Sequence, residues 1–153
     1  MSEPTPYALS KHFTNLIGRK VTFAQMTSAL ETKAKQVYGI YTVFPMRATL
    51  VVKADLALMG SFAGALVGLP DAEVKQHLAT NPIEELLRDA IYEVFNVAAA
   101  VITTEGRATL TAMVTDQLLI RGAAEKALST PLHRSYFNVA VEGYQGGRFN
   151  VLS

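Results

Sequence analysis

The sequence predicts an α+β fold, with helices packed on one side of a largely antiparallel sheet. Three observations lead there. Residues 37–44 and 47–53 are rich in β-branched and aromatic side chains around Pro45, as two strands joined by a tight connection would be. From Pro82 to Val101 the apolar positions instead recur three or four apart, the period of an amphipathic helix. Near the end, residues 136–142 and 148–152 flank Gly143-Tyr-Gln-Gly-Gly147, a hairpin whose glycines supply the positive φ angles of its turn. The elements run helix, two strands, three helices, then strands, which is the pattern of helices segregated onto a sheet.

Taken in order, residues 7–17 carry Leu9, Phe13, Leu16 and Ile17 at helical spacing, and Gly18 marks a stop. After the two strands, Asp55 reads as the N-cap of a helix over 56–67. That helix bears Gly60, Gly64 and Gly68 four apart, a spacing that lets another backbone approach closely and reads as packing. Pro70-Asp-Ala-Glu opens a shorter polar helix to about Ala79. Asn81-Pro-Ile-Glu84 is a start signal for the next, with Asn as cap, Pro at the first helical position and Glu three residues on. Glu105-Gly106 is its stop, and residues 107–115 alternate as a strand. Residues 19–35 and 117–133 carry no decisive pattern.

The 153 residues, half of them hydrophobic and without a linker-like break, fit a single domain spanning 1–153. Net charge is +1 with scattered lysines and arginines, so there is no basic stripe for nucleic acid. Cysteine is absent, which excludes disulfides and thiolate metal sites and sits with a cytoplasmic location. The beginning, Met-Ser-Glu-Pro-Thr-Pro, does not resemble a secretory signal. The longest apolar run, 56–69, holds three glycines and a serine and falls short of the ~20 residues of a membrane span, so membrane insertion is not expected. His12, His77 and His133 lie far apart without partners at ligand spacing, so no metal site is expected from them. There is no nucleophile elbow, phosphate loop or dinucleotide fingerprint.

The chemistry concentrates in Asp89-Ala-Ile-Tyr-Glu93-Val-Phe-Asn96. Ile83, Leu86, Leu87, Ala90, Ile91, Val94, Val97, Ala98 and Val101 form the apolar stripe of this helix. The other face collects Glu85, Asp89, Tyr92, Glu93 and Asn96. Asn inside a helix costs roughly 0.6 kcal/mol against Ala, because its amide competes for nearby backbone groups, so Asn96 invites a reason for its presence. Each of these residues also has a plain reading as a solvated helix surface.

This helix with its flanks resembles the CheC, CheX and FliY family of bacterial chemotaxis phosphatases, whose signature is Asp or Ser, then Glu four residues on, then Asn three further. Here those positions are Asp89, Glu93 and Asn96. The resemblance covers roughly residues 36–104, with a weaker match at the terminal hairpin. It implies a CheC/CheX-like fold and a phosphorylated CheY-like receiver domain as substrate. Glu93 and Asn96 would be catalytic, and Asp89 and Tyr92 docking or supporting. It implies no cofactor of the chain's own, magnesium being the receiver's. The first helix has Ser10, Thr14 and Ile17 at the signature spacing but no Glu/Asn pair, so one site per chain is expected, as in CheX-like members, which are homodimers. Two positions depart from the pattern: Leu119 stands where Pro is usual, and Phe95 where glycine is common. A large side chain at 95 is expected to obstruct docking. The alternatives are a non-catalytic binding or scaffold member of the same fold, as flagellar-switch relatives are, and an oligomeric structural domain that uses Glu93 and Asn96 at a subunit interface.

Overall fold

The computed structural model describes residues 3–28, 33–80 and 82–153. It is α+β, as expected. Helix α1 (Pro6–Ile17) leads into strand β1 (Val21–Met26), then β2 (Gln36–Phe44) and β3 (Ala48–Asp55). Helices α2 (Leu56–Val67), α3 (Asp71–Leu78) and α4 (Glu85–Ala98) follow. The chain closes with β4 (Arg107–Val114), a 3-10 turn (Gln117–Leu119), α5 (Gly122–Ser129), β5 (Arg134–Val141) and β6 (Gly147–Leu152). The six strands form one sheet in the order β1-β5-β6-β3-β2-β4, and every neighbouring pair is antiparallel.

The alternation of each strand sends one set of side chains to a large core. Val37, Tyr41, Val43, Leu50, Val52, Phe137, Phe149 and Val151 face α1, α2 and α4 there. Phe13 of α1 and Phe62 of α2 stack with ring centroids 4.4 Å apart at its centre. The opposite parity of β2 and β3 places Tyr38 and Val51 against Ile120, Ala124 and Ala127. Helix α5 therefore covers the other side of the sheet, and the expectation that all helices share one side is corrected.

The glycines of α2 act as packing positions. A Cβ on Gly60 would stand 2.6 Å from Leu78 Cδ1, and one on Gly64 would collide with Val74, so α3 lies directly on these two positions. Gly68 ends the helix at φ 81°. Asp55 occupies the N-cap position of α2, but its carboxylate is used elsewhere: Gln36 Nε2 donates to it at 2.5 Å and the Arg148 amide at 2.8 Å. It ties the ends of β2, β3 and β6 together instead of capping the helix. Helix α4 begins three residues later than Pro82, with Glu84 in the cap position at an extended ψ of 138° and its carboxylate against His77 Nδ1. Asn81, the expected cap, lies outside the described residues, as do residues 29–32.

Strand β1 is an edge of the sheet, and α1 closes it. Thr14 Oγ1 accepts from the Val21 amide at 3.0 Å and Ser10 Oγ from the Phe23 amide at 2.9 Å. Two outward amides that would otherwise template another strand are thereby satisfied by side chains. Ser10 and Thr14, which sit at the signature spacing in the first helix, are structural.

Candidate functional site

Helix α4 has a buried and an exposed face, with Leu86, expected on the apolar stripe, exposed instead. Leu87, Ala90, Ile91, Val94, Phe95 and Ala98 are buried. Asp89, Glu93 and Asn96 are exposed on the opposite side, and Tyr92 beside them keeps 42% of its surface accessible. At 100° per residue, Asp89 and Asn96 run along the middle of the exposed face, with Glu93 to one side and Tyr92 to the other. The structure thus brings all four residues singled out in the sequence onto one accessible surface. The side chains of Glu93 and Asn96 make no hydrogen bond or ion pair with a described residue.

Phe95 does not obstruct this surface. Its side chain is fully buried on the sheet side of α4, where its ring takes the space left by Gly39 of β2. Beside it, the hydroxyl of Tyr41 donates to the Phe95 carbonyl at 2.6 Å. Burial pushes the Tyr41 hydroxyl far above the usual phenol range, so it stays protonated and donates at neutral pH. The carbonyls in the last turn of a helix lack intrahelical amides. Here Tyr41 serves one of them, and the following amides of Ala99, Ala100 and Val101 reach the carbonyls three residues back. The turn that carries Asn96 is held from below by a strand of the sheet.

Gly39 and Tyr41 are the residues that sequence reasoning missed. A glycine inside a run of β-branched and aromatic residues does signal a close approach. What approaches it cannot be read from a single strand.

Among the described residues, no three His, Asp or Glu side chains converge as a metal site. The histidines are separated: His12 lies edge-on to Phe13 of α1, His77 meets Glu84, and His133 precedes β5. Leu119, at the position where Pro is usual, sits in the 3-10 turn with 69% of its surface exposed. Among the described residues, no helix is long and apolar enough to cross a membrane.

No family model matches the sequence, and no curated protein does. Solved structures do. The middle domain of FliM from H. pylori superposes with a TM-score of 0.58 at 13% identity, over 96% of this chain and 83% of that one. FliY from Thermotoga maritima gives 0.57 at 12% identity, over 95% and 81%. The chain has the FliM and FliY fold. CheX from Borrelia burgdorferi, in a complex with CheY, BeF3 and Mg2+, aligns over 95% of this chain and 92% of its own at 12% identity, with a TM-score of 0.47. At these identities the likeness extends to the path of the chain, and the chemistry of α4 lies in its own side chains.

Proposed function

We propose that the exposed face of α4 docks against a phosphorylated CheY-like receiver domain and hydrolyses its phospho-aspartate. Glu93 and Asn96 are the working pair in this reading, and Asp89 and Tyr92 are docking contacts. The observation that carries it is the placement of an unengaged carboxylate and an unengaged carboxamide one turn apart, on the open side of a helix whose other side is locked into the core.

Phosphoryl transfer suits so small a tool, because positioning and charge stabilisation supply most of the rate. The Asn96 carboxamide oxygen accepts a hydrogen bond from a water and holds it in line with the phosphorus. The water oxygen bonds to phosphorus as the bond to the aspartyl oxygen breaks, which leaves a receiver carboxylate and inorganic phosphate, with the water's proton passing to the phosphate or solvent. Glu93 pairs with a receiver lysine, a charge-assisted contact that fixes the register of the two proteins and aids encounter. Magnesium enters with the receiver. The decay of a phosphorylated receiver, followed with the wild type and with Asn96→Ala, tests this reading. Equal decay with both proteins would overturn it.

A second reading, a docking or scaffold module without catalysis, is favoured by the FliM superposition over 96% of the chain. Saturable binding to the phosphorylated receiver with an unchanged phosphate lifetime is its signature. A homodimer is a further proposal. The outer edge of β4 pairs with no described strand and is open for it, and sedimentation at micromolar concentration decides it.

A further inference from the structure

We propose that Tyr41 is a positioning residue for Asn96, holding its carboxamide in register through the carbonyl of Phe95. The inference rests on the phosphatase reading and names a residue that the helix signature does not contain. Three observations carry it. The Tyr41 hydroxyl is buried in the core and donates at 2.6 Å to the carbonyl of the residue directly before Asn96. The Phe95 ring is seated against Gly39, so the same turn is fixed by its side chain and its backbone together. Both anchors belong to β2, which is paired on both sides, with β3 and with β4, and is thus an interior strand of the sheet.

The geometry gives Tyr41 a leverage that an ordinary core hydroxyl lacks. Beyond Ala98 the backbone tightens into i→i−3 hydrogen bonds, so Asn96 sits at the point where helical restraint is changing. Removing the hydroxyl frees the Phe95 carbonyl to tilt, and the displacement passes through one peptide unit to the Asn96 Cα. A carboxamide that must place a water within hydrogen-bond distance of a fixed trajectory loses rate steeply when displaced by a fraction of an ångström. The docking contacts of Asp89, Tyr92 and Glu93 lie further toward the middle of the helix and are not disturbed.

The test is Tyr41→Phe in the full chain, with Tyr38→Phe as the matched control. Tyr38 lies on the same strand, three residues away, but faces α5, and its hydroxyl meets Gln117 at 3.1 Å. Receiver dephosphorylation is measured over a range of protein concentrations, which separates the maximal acceleration from the half-saturating concentration, and unfolding midpoints are recorded for all three proteins. In the expected result, Tyr41→Phe lowers the maximal acceleration roughly threefold to tenfold with an unchanged half-saturating concentration, while Tyr38→Phe matches the wild type. If Tyr41→Phe keeps the wild-type maximum, or if both variants lose activity in proportion to lost stability, the positioning role is overturned. A wild-type protein that does not accelerate decay overturns the phosphatase reading itself. That failure is read before any variant is compared and is thus distinct from the failure of Tyr41.

Discussion

The ring of Phe95 occupies the volume that a side chain at position 39 would need: a Cβ on Gly39 would lie 2.6 Å from Phe95 Cδ1 and 2.9 Å from Cε1. The contact joins the interior strand β2 to the helix that carries the candidate site, and neither partner has room to withdraw, since Phe95 is fully buried. Gly39→Ala is therefore expected to destabilise the fold by about 1–3 kcal/mol, the usual cost of overpacking a well-filled core. The shift in urea midpoint measures it. A variant as stable as the wild type would show that α4 can lift from the sheet without penalty.

Asn96→Ala should separate stability from function. The side chain is exposed and engages no described residue, and Ala is the better helix former. Unfolding stability is expected to stay level or rise by up to about 0.6 kcal/mol. Receiver dephosphorylation is expected to fall roughly a hundredfold, the scale of losing a positioned reactant. Thermal melts and phosphate-release assays on the same preparation check the two halves together.

Glu93 contributes through charge, so its effect should respond to salt. With the wild type, the half-saturating concentration of receiver is expected to rise as ionic strength increases, because an exposed ion pair is screened over about 10 Å at 0.1 M. Glu93→Gln should bind more weakly at low salt and show a flatter salt dependence. Parallel titrations at two salt concentrations are sufficient, and identical slopes would remove the proposed lysine contact.

Closure of the β1 edge by α1 can be tested by Ser10→Ala combined with Thr14→Ala. The double variant leaves the amides of Val21 and Phe23 without their side-chain acceptors, at a cost of about 1–2 kcal/mol per lost hydrogen bond where burial excludes water. An uncovered edge also templates strand addition. Increased light scattering at high protein concentration is the accompanying result, and a variant that stays dispersed and equally stable would assign the edge's protection to something else.

His12 gives the fold a pH dependence. Burial lowers its pKa below the ordinary 6.5, and Nε2 has no hydrogen-bond partner among the described residues. The unfolded chain therefore binds the proton more readily than the folded one. The corresponding stability is fully present above pH 6.5 and is lost as the pH falls through the lower folded value. Between pH 7.5 and 5.5 the urea midpoint of the wild type is expected to drop further than that of His12→Gln. Parallel curves would mean that the imidazole is solvated when charged.

What the sequence made legible follows from how locally each feature is encoded. Helix α2 begins at Leu56 and ends at Val67 as its pattern indicates: the left-handed Gly68 closes it, and Asp55 stands at its N-cap position although its carboxylate is used elsewhere. The face of α4 with Asp89, Tyr92, Glu93 and Asn96 was readable from period alone. Strand β1 was not, since only Val21 and Phe23 of its six residues are buried, too short an alternation to stand out. Helix α5 stayed undecided between strand then helix and irregular structure for a related reason: its buried side chains are Ala124 and Ala127, which carry little hydrophobic signal. The expectation for Phe95 failed although the information was present. Ile91, four residues before it, and Ala98, three after, are both on the buried stripe, so position 95 belonged there as well. The bond from Tyr41 to Phe95 links residues distant in the chain and leaves no local trace.

The strand order has a bearing on synthesis as well as on the finished molecule. Strand β1 is synthesised well before its neighbour β5, with Val21 opposite Val141. Until β5 has left the ribosome, β1 lacks its sheet neighbour, and the loop that must close runs from Val21 to Val141. A nascent chain halted before Arg134 would leave the β5-facing edge of β1 unpaired, a species that invites chaperone binding. Pairing of β1 waits on β5.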